Sequence, residues 1–106
     1  METPLEIDVA AAAQMLDDGA LLVDVREAHE VAICRVEGGR HIPMREIPGH
    51  LADLPRDRPV LVLCHSGWRS LQVTRFLRAH GFDQARNVAG GIDAWAERID
   101  PAMPRY

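Results

Sequence analysis

An uninterrupted aliphatic run at residues 60–63 ends at Cys64, and a helix-like pattern begins shortly afterwards. Pro59 is tolerated at the first position of a strand, and four successive aliphatic residues are typical of a strand that is buried on both faces. From Ser70 the helical spacing predicts core-facing side chains at Val73, Phe76, Leu77 and His80. Gly81 is a suitable stop for that helix. The pattern predicts a central strand, a loop that contains Cys64 and a packed helix.

The rest of the chain alternates strand-like and helix-like segments. Further strands are predicted at residues 4–7, 20–27 and 84–89. Helices are predicted between the N-cap Asp8 and Gly19, within residues 28–39, near residues 50–54 and at residues 92–99. The last of these has its inward face at Ile92, Trp95, Ala96 and Ile99. The alternation predicts an α/β architecture with a largely parallel sheet.

The predicted topology brings three chemically active side chains to one edge of the sheet. Asp24 and Arg26 end one predicted strand, and Cys64 ends the central one. Ligands of open parallel sheets bind beyond the carboxyl ends of the strands. We therefore expect these residues to lie near one another at a functional site.

Length and charge limit the classes of function that the chain can have. A chain of 106 residues is expected to form one domain, residues 1–106, with a C-terminal tail at about residues 100–106. The net charge of −4 and the interleaved charges argue against nucleic acid as a partner. No apolar segment is long enough to cross a membrane, and the acidic N-terminal segment does not resemble a secretory signal. The expected location is the cytoplasm.

The segment after Cys64, HSGWR, contains the residue types that a reactive thiol needs. A thiol attacks as the thiolate, and nearby N–H groups and cations favour that form. A loop curled around the sulfur would direct consecutive backbone N–H groups inward, and Gly67 would permit the curl. Arg69 adds a permanent cation. The segment predicts a cradle for a sulfur that can carry a second sulfur atom as a persulfide.

Each of these residues also has an ordinary structural interpretation. Cys64 could be a small core residue at the end of a strand, and Ser66 or Ser70 could cap the helix. His65 is expected on the loop surface, where it shapes the mouth of the site without acting as a base. Trp68 could cover the pocket or contact a partner, and the sequence leaves both open.

The remaining cysteine and histidines are not expected to form a second site. Cys34 is interpreted as structural or incidental, and a role as a resolving thiol for the Cys64 sulfur is the alternative. His29, His41 and His50 do not lie at metal-ligand spacings with the cysteines, so neither a metal nor a cofactor is predicted.

Four segments, in order along the chain, resemble the signature segments of the rhodanese family of sulfurtransferase domains. They are LLVDVRE at 21–27, HIPM at 41–44, VLVLCHSGWRS at 60–70 and NVAGGIDAW at 87–95. The third resembles the family's active-site strand and its Cys-x-x-Gly-x-Arg loop. Arg40 and Met44 depart from the glycine-containing pattern that is frequent around the second segment, and this affects the expected shape of that flank.

The resemblance implies a three-layer fold with a mostly parallel sheet of about five short strands flanked by helices. It implies that the protein is a thiosulfate sulfurtransferase in which Cys64 carries the persulfide. The accompanying loop is His65, Ser66, Gly67, Trp68 and Arg69, and Asp24 and Arg26 are supporting residues. The implied partners are a small donor such as thiosulfate and an acceptor, which is a thiol, cyanide or a sulfur-acceptor protein.

Two other functions are compatible with the same segments. The chain could be a sulfur-relay or protein-interaction module with slow turnover on small donors. It could also be a phosphatase or an arsenate reductase, whose related loops enclose one more residue between cysteine and arginine. The four residues between Cys64 and Arg69 favour sulfur transfer.

Overall fold

The computed structural model describes residues 3–106, and within that range the chain forms an α/β fold. The strands are β1 (Glu6–Ile7), β2 (Leu21–Asp24), β3 (Arg40–His41), β4 (Val60–Leu63) and β5 (Ala85–Val88). The α-helices are α1 (Val9–Asp17), α2 (Ala28–Ile33), α3 (Trp68–Ala79) and α4 (Gly91–Arg98). A 3₁₀ helix spans Met44–Asp53. Residues 1 and 2 of the predicted domain lie outside the described residues.

The strands form one parallel sheet in the order β1-β5-β4-β2-β3. The strand that precedes Cys64 is therefore in the middle of the sheet, as the aliphatic run predicts. Val62 of β4 pairs with Val23 of β2 on one side and with Asn87 of β5 on the other. This register aligns the carboxyl ends of the three central strands at one edge of the sheet.

Side chains of β4 alternate between two apolar layers. Val60 and Val62 pack in a cluster with residues of α3 and the 3₁₀ helix. Leu61 and Leu63 pack on the opposite face, in a cluster with residues of α1 and α4. All four side chains are buried, which explains why the strand has no polar position. The α/β fold and the mostly parallel sheet of about five strands are confirmed.

Several predicted boundaries are wrong. Helix α3 begins at Trp68 rather than at Ser70, so the loop after Cys64 is shorter than predicted. The 3₁₀ helix starts at Met44, well before the predicted helix near His50, and residues 40–41 form an unpredicted edge strand. His80 and Ile99, which were expected to face the core, are exposed.

The first helix begins and ends as predicted from its flanking residues. The Asp8 carboxylate accepts a hydrogen bond from the backbone N–H of Ala11 at 2.8 Å, which caps the helix. Gly19 follows the helix with a φ of 101°. In the part of the chain that the structure describes, no helix has both the length and the apolar character that a membrane span needs.

Truncation of a β4 side chain is expected to destabilise the fold strongly. Leu61 is fully buried, and Leu61→Ala should lower the free energy of unfolding by about 2–5 kcal/mol because it leaves a cavity. Ile33→Ala is the control, since Ile33 is 42% exposed and should lose less than about 1 kcal/mol. Urea unfolding measures both changes. Equal losses would contradict the burial of β4 between two layers.

Candidate active site

Cys64 follows β4 directly and lies at the carboxyl edge of the sheet. The residue is 1% exposed and belongs to the apolar cluster on the α3 face. Burial alone would fit a structural core cysteine. The hydrogen bonds of its sulfur atom distinguish it from one.

Two donors point at the Cys64 Sγ. The backbone N–H of Gly67 lies 3.1 Å from Sγ, and the Ser70 hydroxyl lies 3.2 Å from it. Ser70 is itself fully buried, in the first turn of α3. Two donors on one buried sulfur favour negative charge at that atom. Of the loop amides that the sequence predicted to face the sulfur, the Gly67 N–H makes this hydrogen bond, and the Ser70 hydroxyl is an additional donor.

Gly67 adopts a conformation that other residues rarely tolerate. Its φ is 106°, and a Cβ at this position would lie 3.2 Å from the backbone nitrogen of Gly90. The Gly67 carbonyl accepts a hydrogen bond from Asn87 Nδ2 at 3.1 Å, and the same Nδ2 donates to Glu6 Oε2 at 2.7 Å. Asn87 is fully buried at the end of β5. The neighbouring strand therefore holds the glycine that presents its N–H to the sulfur.

The first turn of α4 fixes the other side of the loop. The Ile92 N–H donates to the Cys64 carbonyl at 2.8 Å, and the Asp93 N–H donates to the His65 carbonyl at 3.0 Å. Gly91 has a φ of 60°, and a methyl group there would overlap both carbonyl oxygens. The Gly-Gly pair at 90–91 thus allows α4 to approach the loop closely.

Arg69 is paired with a residue that the sequence analysis did not assign to the site. Its Nη1 and Nη2 donate to Glu30 Oε1 and Oε2 at 2.6 and 2.8 Å, a bidentate ion pair. Hydrogen bonding to Glu30 raises the pKa of Arg69 against its burial, and the nearby Cys64 also contributes. The same pairing, opposed by burial and aided by Tyr106, lowers the pKa of Glu30 below its ordinary range. Arg69 is therefore an anchored cation rather than a free one.

Asp24 and Arg26 form a buried ion pair below this site. Arg26 Nη2 and Nε bond the Asp24 carboxylate at 2.8 and 3.0 Å, and Nη2 also reaches the Cys34 carbonyl at 2.8 Å. Burial opposes the charge of Arg26, but the hydrogen bonds that it donates to Asp24 and Tyr106 raise its pKa above the ordinary value. Arg26 is fully buried, so its side chain contacts other residues and not solvent.

Tyr106 joins the two arginine systems. Its hydroxyl accepts from Arg26 Nη1 at 2.9 Å and donates to Glu30 Oε2 at 2.7 Å. Its ring stacks on His65, with centroids 4.1 Å apart and planes 14° from parallel. Burial of the hydroxyl raises the pKa of Tyr106 to about 12, so the proton needed for donation is retained at neutral pH.

The structure separates the predicted loop residues by environment. Trp68 is 70% exposed, so it does not cover the thiol, and Ser66 is also exposed. His65 is half-buried beneath Tyr106. Cys34 and Cys64 are both free thiols in different apolar clusters. Within residues 3–106, no three His, Cys, Asp or Glu side chains are grouped as a metal site.

Sequence reasoning missed Glu30, Asn87 and Tyr106 as parts of this site. Glu30 had a weak signal, because an acidic residue lies on the short helix that follows Asp24 and Arg26. Asn87 was seen only as part of a motif. Tyr106 is 76 positions from Glu30, and no local pattern reports that contact.

Comparison with known proteins assigns the family. Residues 8–98 match the family model described as Rhodanese-like domain. The chain is 39% identical over 100 residues to a protein named Sulfurtransferase from Allochromatium vinosum, covering 92% of this chain and 94% of that protein. It is 32% identical over 106 residues to Thiosulfate sulfurtransferase GlpE from Actinobacillus pleuropneumoniae, covering 99% and 98%.

A solved structure shows the same similarity. The human single-domain sulfurtransferase TSTD1 superposes with a TM-score of 0.83 at 27% identity, covering 91% of this chain and 98% of that one. Some curated relatives are much longer, and the chain spans 21% to 31% of their length.

The chain is an α/β protein with a parallel sheet, and its candidate site is a cysteine loop at the carboxyl end of the middle strand. Within that class, the chain belongs to the rhodanese-like domain family. The resemblance indicated by the four sequence segments is confirmed.

Gly91→Ala is expected to displace the loop that carries Cys64. The methyl group would overlap two carbonyl oxygens in addition to straining a positive φ. Gly19→Ala is the matched control, because Gly19 also has a positive φ but open space around it. Gly19→Ala should cost about 1–2 kcal/mol of unfolding free energy, and Gly91→Ala should cost clearly more. Urea unfolding tests this, and equal losses would contradict the close approach of α4.

Glu30→Gln is expected to lower the free energy of unfolding by roughly 1–3 kcal/mol at pH 7, because it breaks the pair with Arg69. The folded-state pKa of Glu30 is lowered, so its contribution is complete above about pH 5 and declines as the pH falls below about 4. The difference between wild type and variant should therefore shrink in acid.

Urea unfolding at several pH values measures this dependence. Glu37→Gln is the control, since the Glu37 side chain is 89% exposed and lies 3.7 Å from its partner Arg35. That variant should show little change at any pH. A Glu30→Gln difference that grows in acid would contradict the ion pair.

Proposed function

We propose that the protein is a sulfurtransferase that carries sulfane sulfur on Cys64 as a persulfide. The observation that carries the proposal is the pair of hydrogen bonds from Gly67 and Ser70 to the Cys64 Sγ, at the carboxyl end of the central strand. Membership of the rhodanese-like domain family supports the reaction class, and the relatives named sulfurtransferases agree with it.

The first half-reaction forms the persulfide. The Cys64 thiolate attacks the sulfane sulfur of thiosulfate, a new S–S bond forms, and the donor S–S bond breaks. Sulfite leaves with the electron pair of the broken bond. The product, Cys64–S–S⁻, carries one negative charge on its outer sulfur, and donors that face the loop would stabilise it.

The second half-reaction returns the thiolate. A nucleophile attacks the outer sulfur, and Cys64 leaves with the electron pair of the S–S bond. Cyanide becomes thiocyanate, and a thiolate acceptor becomes a persulfide. Neither step transfers a proton to or from His65, so the histidine shapes the mouth of the site rather than acting as a base.

Loop residues have distinct roles in this scheme. Gly67 and Ser70 bond the sulfur, Arg69 supplies a cation for an anionic donor, and His65 lies beside the mouth. Ser66 is an exposed loop residue with no assigned contact to the sulfur. The Asp24–Arg26 pair supports the site from below. Thiosulfate is the proposed donor because its sulfonate end is an anion, and one relative is named for that substrate.

The proposal predicts that thiosulfate adds the mass of one sulfur atom to Cys64. Intact-mass spectrometry of the purified, reduced protein should show the gain in wild type and in Cys34→Ala, and cyanide should remove it with formation of thiocyanate. Cys64→Ala should show no gain and should lose transfer activity to background. A gain that depends on Cys34, or a wild type that gains no sulfur, would contradict the proposal.

A second candidate, sulfur relay to an acceptor protein, is favoured by the exposed ring of Trp68. This residue begins α3 next to the thiol loop and is 70% exposed. Large aromatic side chains with one solvent-facing side are enriched at protein interfaces. A persulfide that forms on Cys64 but passes slowly to cyanide would favour this candidate over turnover with small acceptors.

A further inference from the structure

Tyr106 links a fully buried arginine to the carboxylate that pairs with Arg69. Arg26 is fully buried and is held by Asp24 and two backbone carbonyls. Glu30 lies on the six-residue helix α2, and its carboxylate pairs with Arg69. The Tyr106 hydroxyl bonds both Arg26 and Glu30. The hydroxyl therefore connects the Glu30 carboxylate to the buried core, in addition to the bond that Arg26 makes to the Glu30 backbone carbonyl.

The same Glu30 oxygen binds the tyrosine and the arginine. Oε2 accepts from the Tyr106 hydroxyl at 2.7 Å and from Arg69 Nη2 at 2.8 Å. Oε1 accepts from Arg69 Nη1 and from the Glu27 backbone N–H at 3.1 Å. A carboxylate with donors on both oxygens has one preferred orientation, and the planar guanidinium must follow it.

The bidentate pair uses only part of the donor capacity of Arg69. A guanidinium has five N–H groups, and the bonds to Glu30 occupy one on each Nη atom. The Arg69 side chain is 33% exposed, and it lies close enough to Cys64 for the sulfur to contribute to its raised pKa. Once Glu30 fixes the group, its other N–H groups have a constant direction relative to the thiol.

We propose that Tyr106 is a positioning residue for anionic sulfur donors: through Glu30 it aims Arg69 at the approach to Cys64, and its ring fixes His65 beside that approach. This inference rests on the proposed function and deepens it. By positioning Arg69, Tyr106 favours donors that carry negative charge next to the transferred sulfur. A neutral reagent gains nothing from the arrangement, and this difference separates positioning from a purely structural role.

The test compares alkylation of Cys64 by iodoacetate, an anion, and by iodoacetamide, its neutral analogue. The thiolate attacks the iodinated carbon of either reagent, a C–S bond forms, and iodide leaves with the electron pair of the C–I bond. Because this step is the same for both, the ratio of the two rates reports the charge near the sulfur. All proteins carry Cys34→Ala, so that only Cys64 reacts, and mass spectrometry follows the adduct at low ionic strength. The measurement needs no sulfur transfer.

Arg69→Gln is expected to lower the iodoacetate-to-iodoacetamide ratio by about fivefold, the effect of one unit charge at close range in water. Tyr106→Phe keeps the ring on His65 but removes both hydroxyl bonds, and it should lower the ratio by about two- to fivefold. Tyr106→Ala also removes the stack and should lower it at least as far. Arg75→Gln, which removes an exposed arginine from the same helix, should leave the ratio unchanged.

The outcomes separate this inference from the proposed function. A Tyr106→Phe ratio equal to that of wild type would overturn the positioning role, and so would an unchanged ratio in Arg69→Gln. A Cys64 that reacts with neither reagent would also overturn it, because Arg69 would then guide no anion to the sulfur. A changed ratio without persulfide formation would support the positioning role and reject sulfur transfer. Thermal unfolding of Tyr106→Phe checks that the variant is folded.

Discussion

The site depends on how closely helix α4 approaches the loop after β4. The first N–H groups of α4 bond the carbonyls of Cys64 and His65, and the space for this contact exists only because Gly91 has no side chain. The first four N–H groups of a helix have no partner within the helix, so here they find one in the thiol loop. These hydrogen bonds therefore satisfy backbone groups of two segments, the start of α4 and the thiol loop. It turns the loop so that the Gly67 amide faces the sulfur atom.

Two ion pairs belong to the site, one buried and one closer to the surface. The buried pair of Asp24 and Arg26 neutralises itself beneath the sheet edge, while Arg69 and Glu30 form a second pair closer to the surface. The hydroxyl of Tyr106 connects the two pairs. Buried ion pairs are poor sources of net stability, but they restrict orientation when every donor and acceptor is used. At this site the restricted groups belong to the network beside the buried Cys64 thiol.

The sequence predicted the parts of the fold that local pattern controls. The aliphatic run before Cys64 identified the central strand, because a strand buried on both faces has no polar position. The predicted start of α3 was wrong because a glycine, Gly67, occupies the N-cap, whereas serine is the more usual capping residue and the pattern indicated a start at Ser70. The 3₁₀ helix contains Pro48, and a proline inside a helical segment favoured a later start near His50 than the observed start at Met44. Short local signals therefore located the thiol loop but not its boundaries.

Contacts between distant positions could not be predicted in this way. Glu30 meets Arg69 across 39 positions and Tyr106 across 76, and nothing in either local sequence specifies the partner. Asn87 is a similar case, since its bond to Gly67 follows from the pairing of β4 with β5. Such residues become visible only when the topology is known.

The sheet has very short outer strands, β1 and β3, with two residues each. Short edge strands expose few unpaired backbone groups, so a strand of another chain would find few hydrogen-bond partners there. Association by extension of the sheet is disfavoured on both sides. In the proposed sulfur relay, an acceptor protein would therefore have to recognise side chains and loops at the carboxyl end of the sheet, where shape and charge rather than backbone pairing determine the fit.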